Sequence, residues 1–141
     1  MESYLEEEKA EMDTILGQSL DSVDAMINMV EYIMGTIRDF NPSALHDLQK
    51  YYPETWQMFD EYRFNFVLGR IKENIVSGIE QGVYRPDLDP DVVAKFYISS
   101  INITMDPMLF PHNKYQFSSI YREFLNYHLR GIVSAKGLKY L

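Results

Sequence analysis

The sequence predicts an all-α fold. Apolar residues recur at spacings of three and four along most of the chain, and glycine and proline separate these periodic segments. No stretch alternates apolar and polar residues at a period of two, as a strand would. With 141 residues, the chain is long enough for one domain, and we expect a single bundle of about five helices over residues 1–141.

The longest periodic segment, residues 53–81, is called the spine here. Its apolar side chains follow at helical spacing: Trp56, Phe59, Tyr62, Phe66, Ile71, Ile75 and Ile79. Gly82 supplies a left-handed stop, and Asp89 caps the next helix. We therefore predict one helix from about Pro53 to Gln81 and a break at Gly82–Asp89. Within the spine, Gly69 and Gly78 indicate the close approach of a neighbouring backbone.

The residues before the spine form two predicted units. Residues 3–40 carry a helical apolar stripe and predict one amphipathic helix, or two helices with a break between Gly17 and Ser22. A turn at Asn41-Pro42-Ser43 then predicts a short helix over Ala44–Tyr51.

Two apolar helices are predicted after the spine. Helix 90–105 is apolar nearly all round and should be buried on two sides, and the last helix, about 116–134, carries a stripe wider than one neighbour needs. Because the chain has few other helices to cover both, we predict a two-fold homodimer built on them. The predicted interface residues are Ile98, Ile101, Phe117, Ile120, Tyr121, Phe124, His128 and Ile132.

Composition excludes several classes of protein. The chain has no cysteine, which excludes disulfides, thiolate metal sites and a cysteine nucleophile. Its net charge of −8 argues against nucleic-acid binding by these residues alone. No apolar run approaches a membrane span, and the acidic start does not resemble a secretory signal, so we expect a cytoplasmic protein.

No motif predicts catalysis, a metal site or a cofactor. Asp87-x-Asp89-x-Asp91 has Val92 and Ile98 where a calcium loop needs glycine and glutamate, so a helix cap is the better interpretation. The three histidines are far apart and have no metal-ligand spacing, and no nucleophile–base pair is visible. We therefore predict a protein that is not an enzyme, with no catalytic residue.

A family resemblance comes from residues in the middle and at the end of the chain. They are the run Asp47-Leu48-Gln49-Lys50-Tyr51-Tyr52-Pro53, then Trp56, Asn74, Gly78, Ile79, Gly82, Tyr84-Arg85 and Asp89, and finally His128–Ile132 with Lys136-Gly137. In this order the chain resembles the C-terminal regulatory domain of TetR/AcrR-type transcriptional regulators, in the form found in Bacteroidetes-like bacteria. The resemblance implies that the last two helices pair with a second chain as a four-helix bundle. It also implies that DNA is bound only by an N-terminal helix-turn-helix domain, which we expect to be missing here.

Methionine and aromatic residues predict either a plain helical core or a pocket for a small apolar or amphipathic ligand. The resemblance favours the pocket, because such domains hold a small molecule between these helices. The residues predicted to bind the ligand are Met29, Ile33, Trp56, Phe59, Tyr62, Arg63, Phe66, Tyr97 and Met105. The leading hypothesis is thus a ligand-sensing, dimerising domain of a TetR-like repressor. The alternative is an all-α dimerisation or protein-interaction module without a pocket.

Overall fold

The computed structural model describes residues 2–39 and 42–141, with the side chains of these ranges except residues 2–4, 37–39, 42–46 and 63. The predicted all-α class is confirmed over these ranges. Seven α-helices, a π-helical segment and a short 3-10 helix follow in order: α1 (Glu2–Gln18), α2 (Ser22–Asp39), α3 (Pro42–Tyr51), α4 (Pro53–Tyr62), the π segment (Arg63–Val67), α5 (Leu68–Glu80), α6 (Pro90–Thr104), α7 (Phe117–Ile132) and the 3-10 helix (Gly137–Tyr140).

Helices α1 and α2 form an antiparallel hairpin. The predicted break is confirmed at residues 19–21, where the Asp21 carboxylate accepts a hydrogen bond from the N–H of Asp24 at 2.9 Å. Farther from the turn, the Tyr32 hydroxyl of α2 lies 2.8 Å from the Glu8 carboxylate of α1 and 2.9 Å from that of Glu11. The hairpin buries Met12 of α1 and the methionines and valines of α2 in the common core.

The spine is helical throughout, as predicted, but its middle turn is π-helical. Apolar residues recur every three or four positions except between Phe66 and Ile71, an interval of five that an α-helix does not accommodate on one face. The π segment, with its i→i+5 hydrogen bonding, overlaps only the start of this interval and places its extra residue between Tyr62 and Leu68. The side chain of Val67 is buried at its end, directly before the buried face of α5.

The spine ends in a tight turn at Gly82, as predicted. Gly82 has φ +77°, and the N–H groups of Val83 and Tyr84 both donate to the carbonyl oxygen of Gly78 at 3.0 Å. The Tyr84 ring then covers Gly78 so closely that a β-carbon there would clash. Our prediction of a neighbouring backbone at Gly78 and Gly69 is wrong, since an aromatic ring covers Gly78 and nothing lies within 4 Å of the β-carbon position at Gly69.

The last residue of α7 and the segment after it, residues 132–137, pair with the turn that follows the spine and are called the C-terminal clip. The N–H of Arg85 donates to the carbonyl of Ile132, and the N–H of Ser134 donates to the carbonyl of Val83, both at 2.9 Å. These bonds form an isolated antiparallel bridge around Tyr84. Gly137 then lies directly against the Val83 carbonyl. The C-terminal clip therefore joins α7 to the end of α5.

Helix α6 begins as predicted. The Asp89 carboxylate accepts hydrogen bonds from the N–H groups of Asp91 and Val92 at 3.1 and 3.3 Å. Its inner face, with Ala94, Tyr97, Ile98, Ile101 and Thr104, is buried within the chain. We expected two sides of α6 to be buried, but the chain itself covers only this inner face. Val92, Phe96 and Ile103 are exposed on the outer side.

Replacing Gly137 with alanine should destabilise the fold by about 1–3 kcal/mol, because the new methyl group would overlap the backbone carbonyl of Val83 and force the C-terminal clip apart. Urea unfolding followed by circular dichroism measures the change. The matched control is Gly131→Ala in α7, where nothing lies within 4 Å of the new β-carbon. There, alanine should raise the free energy of unfolding by at most about 1 kcal/mol. Equal effects at the two glycines would contradict the close approach.

Candidate functional site

The residues predicted to bind a ligand fall into two groups. Met29, Ile33 and Tyr97 lie in the hydrophobic core, Met29 and Tyr97 without any exposed surface. Met105 is half-buried at the end of α6. The others lie on α4 and the π segment, and the side chain of Arg63 is outside the described residues. The structure therefore places the predicted set partly inside the core and partly along the first half of the spine.

Helix α4 is the least covered part of the spine. None of its side chains is fully buried, although Trp56 and Phe59 are partly covered and their rings lie 5.9 Å apart. One turn further, the rings of Tyr62 and Phe66 stack at 5.5 Å with an interplanar angle of 11°. Large aromatic side chains that the fold covers only partly offer apolar area to a bound molecule.

Tyr97 lies at the junction of α6 and α7. Its ring meets that of Phe124 edge to face at 5.8 Å and lies 4.6 Å from the ring of His128. Its hydroxyl finds no hydrogen-bond partner among the described residues, although the side chain is 0% exposed. Burial raises the pKa of Tyr97, so that the phenol stays neutral. His128 itself has its Nε2 atom 3.0 Å from the Tyr127 hydroxyl.

Tyr84 forms a buried polar network that sequence analysis did not predict. Its hydroxyl lies within donating distance of the Asn74 side-chain oxygen, at 2.7 Å, and of the Ser22 carbonyl, at 2.9 Å. The Asn74 amide also donates to the Ser22 carbonyl at 2.9 Å. The available signal was Asn74 itself, a polar residue on the buried stripe of α5 next to Ile71 and Ile75.

Helix α1 contacts the spine at the π segment. The Lys9 ammonium lies 5.7 and 5.8 Å from the ring centres of Tyr62 and Phe66. The guanidinium of Arg70 lies 4.5 Å from the Phe66 ring centre and donates to the Asp13 carboxylate at 2.8 Å. Hydrogen bonding to Asp13 raises the pKa of Arg70. A displacement of the first half of the spine would therefore change the contacts that α1 makes with it.

An apolar groove of about 370 Å³ runs between α6, α7 and the loop that joins them. Its larger side chains are Ile103, Phe110, Tyr115, Ile120, Phe124 and Tyr127. Tyr127, in the wall of this groove, is 60% exposed, and Phe96, one turn before the groove residue Ser100 on α6, is 64% exposed. Exposed aromatic residues next to an apolar groove are typical of a surface that binds a partner.

The predicted interface residues do not all face this groove. Ile98, Ile101, Phe124 and Ile132 are buried within the chain, and Phe124 also forms the inner wall of the groove. The other four are partly covered: Phe117, Ile120, Tyr121 and His128. The exposed residues Val92, Phe96 and Ile103 were not in the predicted set, because helical periodicity does not tell which side of an all-apolar helix faces inward.

Residues 2–39 and 42–141 contain neither a metal-ligand cluster nor a membrane helix. There, no group of three or more His, Cys, Asp or Glu side chains is placed to hold a metal ion. Within the same ranges, no helix is both long enough and apolar enough to cross a bilayer.

Comparison with known proteins gives one kind of relative. No family model matches the chain. No solved structure matches it either. The chain is similar to the HTH-type transcriptional repressor KstR2 of two strains of Mycobacterium tuberculosis, with 30% identity over 95 residues. The match covers 60% of this chain and 48% of the relative, so the chain spans about half the length of the curated relatives it matches.

Stability should fall as the pH drops below about 6.5, in part because of His128. Burial lowers its pKa in the folded state below the ordinary value of 6.5. As the pH falls, His128 is therefore protonated in the unfolded chain before it is protonated in the folded protein. The stability that His128 contributes above pH 6.5 is lost as the pH falls through its folded pKa. Urea midpoints at about pH 7.5 and pH 5 should differ less in His128→Gln than in the wild type.

The control for this prediction is His112→Gln, which removes an exposed histidine from the loop between α6 and α7. It should leave the contribution of His128 in place. If His128→Gln and the wild type lost the same stability over this pH range, the partly covered His128 would not be the cause.

Proposed function

We propose that this chain is the ligand-sensing and dimerising part of a TetR-like transcriptional repressor. The observation that carries the proposal is the similarity to the repressor KstR2 over 60% of the chain. The all-α architecture agrees with the fold that the family resemblance implies. A repressor acts where the DNA is, which favours a cytoplasmic location.

The proposed dimer uses the outer face of α6 and the groove beside it. Phe96 and Ile103 expose apolar surface on α6, and Tyr127 continues this surface onto α7. A second copy would cover all three, and an isologous pairing would present the same groove to each copy. A stable interface of this kind buries upwards of about 2,000 Å² in total.

The proposed ligand is a small apolar or amphipathic molecule, bound between the core and the first half of the spine. The half-covered rings of Trp56 and Phe59 support this location, and Tyr97 supplies a buried hydroxyl in the core. The ligand would act by binding one arrangement of the dimer more tightly than another, since equal affinity for both shifts nothing. The contacts of Lys9 and Arg70 on Phe66 would carry the change to α1.

Under this proposal, DNA is bound by a helix-turn-helix domain outside the 141 residues. These residues carry a net charge of −8, and such a field repels the phosphate backbone. Helix α1, whose first half is rich in glutamate, would lie between that domain and the core.

Phe96→Glu should convert the dimer to a monomer. Its side chain is 64% exposed in the single chain, so glutamate is tolerated in the monomer but would be buried without a partner charge in the dimer. Light scattering coupled to size-exclusion chromatography measures the mass. Val76→Glu, an equally apolar-to-acidic change on the exposed side of α5, should remain dimeric. A wild-type monomer at tens of micromolar would contradict the proposal.

Phe59→Ala should weaken ligand binding by about tenfold, because it removes a half-covered ring from α4. Dodecanol, dodecanoate and cyclododecane serve as probes with an alcohol, an acid and no polar group. Emission of Trp56, the single tryptophan of the chain, reports their binding. Phe64→Ala, which removes a more exposed ring from the π segment, should leave the affinity unchanged.

If none of these probes changes the emission of Trp56 in the wild type, and calorimetry detects no binding, the ligand-sensing part of the proposal fails. A dimer without a ligand pocket would then be the better description.

A further inference from the structure

Two tyrosines of the core are buried to the same degree but differ in their partners. Tyr84 is 1% exposed and Tyr97 is 0% exposed. The Tyr84 hydroxyl has both Asn74 and the Ser22 carbonyl within 2.9 Å. The Tyr97 hydroxyl has none among the described residues. A buried hydroxyl without a partner is destabilising, and phenylalanine would fill the same space without this penalty.

The surroundings of Tyr97 are poor in free polar groups. Phe124 and His128 pack on its ring, and the Nε2 atom of His128 already lies 3.0 Å from the Tyr127 hydroxyl. The hydroxyl of Tyr84 is held by its own network. A buried water needs about two to four polar partners, and the hydroxyls of Tyr84 and Tyr127 are each engaged with a partner of their own. The unsatisfied hydroxyl therefore fits a ligand that accepts its hydrogen bond and is otherwise apolar.

The charge of that partner is limited by the core. In the part of the chain that the structure describes, the buried polar residues are Ser22, Asn74 and Thr104, and none of them is a cation. A carboxylate or phosphate next to Tyr97 would be buried without a counter-ion. The neutral phenol donates one proton, so it favours an uncharged oxygen that accepts.

We propose that the Tyr97 hydroxyl is the hydrogen-bonding anchor of the ligand site, and that the ligand is an uncharged apolar molecule with a carbonyl oxygen. This inference rests on the proposed ligand sensing and adds the residue and the chemical class. Tyr97 is buried on the inner face of α6, about 100° around the helix from the exposed Phe96. A ligand held there touches the helix proposed to form the dimer.

The first experiment measures unfolding without a ligand. Tyr97→Phe should be at least as stable as the wild type, because it removes a hydroxyl that has no partner. Tyr84→Phe is the matched control and should unfold at a clearly lower urea concentration, since it leaves Asn74 without its donor. If Tyr97→Phe were destabilised as much as Tyr84→Phe, the hydroxyl would have a partner in the ligand-free protein, such as a water, and the proposal would fall.

The second experiment compares ketones with hydrocarbons of the same skeleton: cyclooctanone with cyclooctane, decalone with decalin, and cyclododecanone with cyclododecane. In the wild type, the ketone of at least one pair should bind about tenfold more tightly than its hydrocarbon. In Tyr97→Phe the ratio should fall to about one, with the affinity for the hydrocarbon unchanged. Isothermal calorimetry measures both.

The outcomes separate this inference from ligand sensing itself. If the wild type binds both members of a pair and Tyr97→Phe keeps the same ratio, ligand sensing stands and the anchor is overturned. If the alcohol or acid probes bind but no ketone does, the proposed chemical class is overturned. If no probe of either set binds to the wild type, ligand sensing and the anchor fail together.

Discussion

The carbonyl oxygen of Ser22 is the point on which the arrangement of the helices depends. It begins α2, and it lies 2.9 Å from both the Asn74 amide of α5 and the Tyr84 hydroxyl. The Tyr84 ring covers Gly78, and the backbone on either side of it is paired with the C-terminal clip that follows α7. One buried polar contact therefore positions α2, α5 and α7 together. Losing any member would leave the others buried and unsatisfied, which is why such networks are costly to break.

Much of the fold follows from local signals in the sequence. Gly82 has the positive φ that its place after the spine predicts, and Asp89 caps α6 as its place before Pro90 predicts. The network around Ser22 does not follow from local signals, because its partners Asn74 and Tyr84 lie 52 and 62 residues after Ser22 in the chain. Only the polar Asn74 on a buried stripe indicates that a partner must exist.

The candidate site is less predictable than the fold, and α6 shows why. Apart from the polar stripe Asp91, Lys95, Ser99 and Asn102, its sequence is apolar, so periodicity predicts that it is buried but not which apolar residues face the chain's own core. Ile98 and Ile101 prove to be inside, whereas Phe96 is outside. Aromatic character places Tyr97 among the core residues, yet whether its hydroxyl finds a partner depends on where α7 puts His128 and Tyr127.

The π segment also bears on how this chain should be aligned with its relatives. An i→i+5 turn carries one more residue than an α-helical turn, so a related chain with a regular helix here would be one residue shorter between Tyr62 and Leu68. An alignment that runs through Arg63–Val67 without a gap would then shift every residue of α4 by one position, about 100° around the helix. Trp56 and Phe59 would be matched to solvent-facing residues of the relative. Pocket-lining residues that the two chains share would then appear to differ. A single-residue gap placed in this segment keeps the two halves of the spine in register.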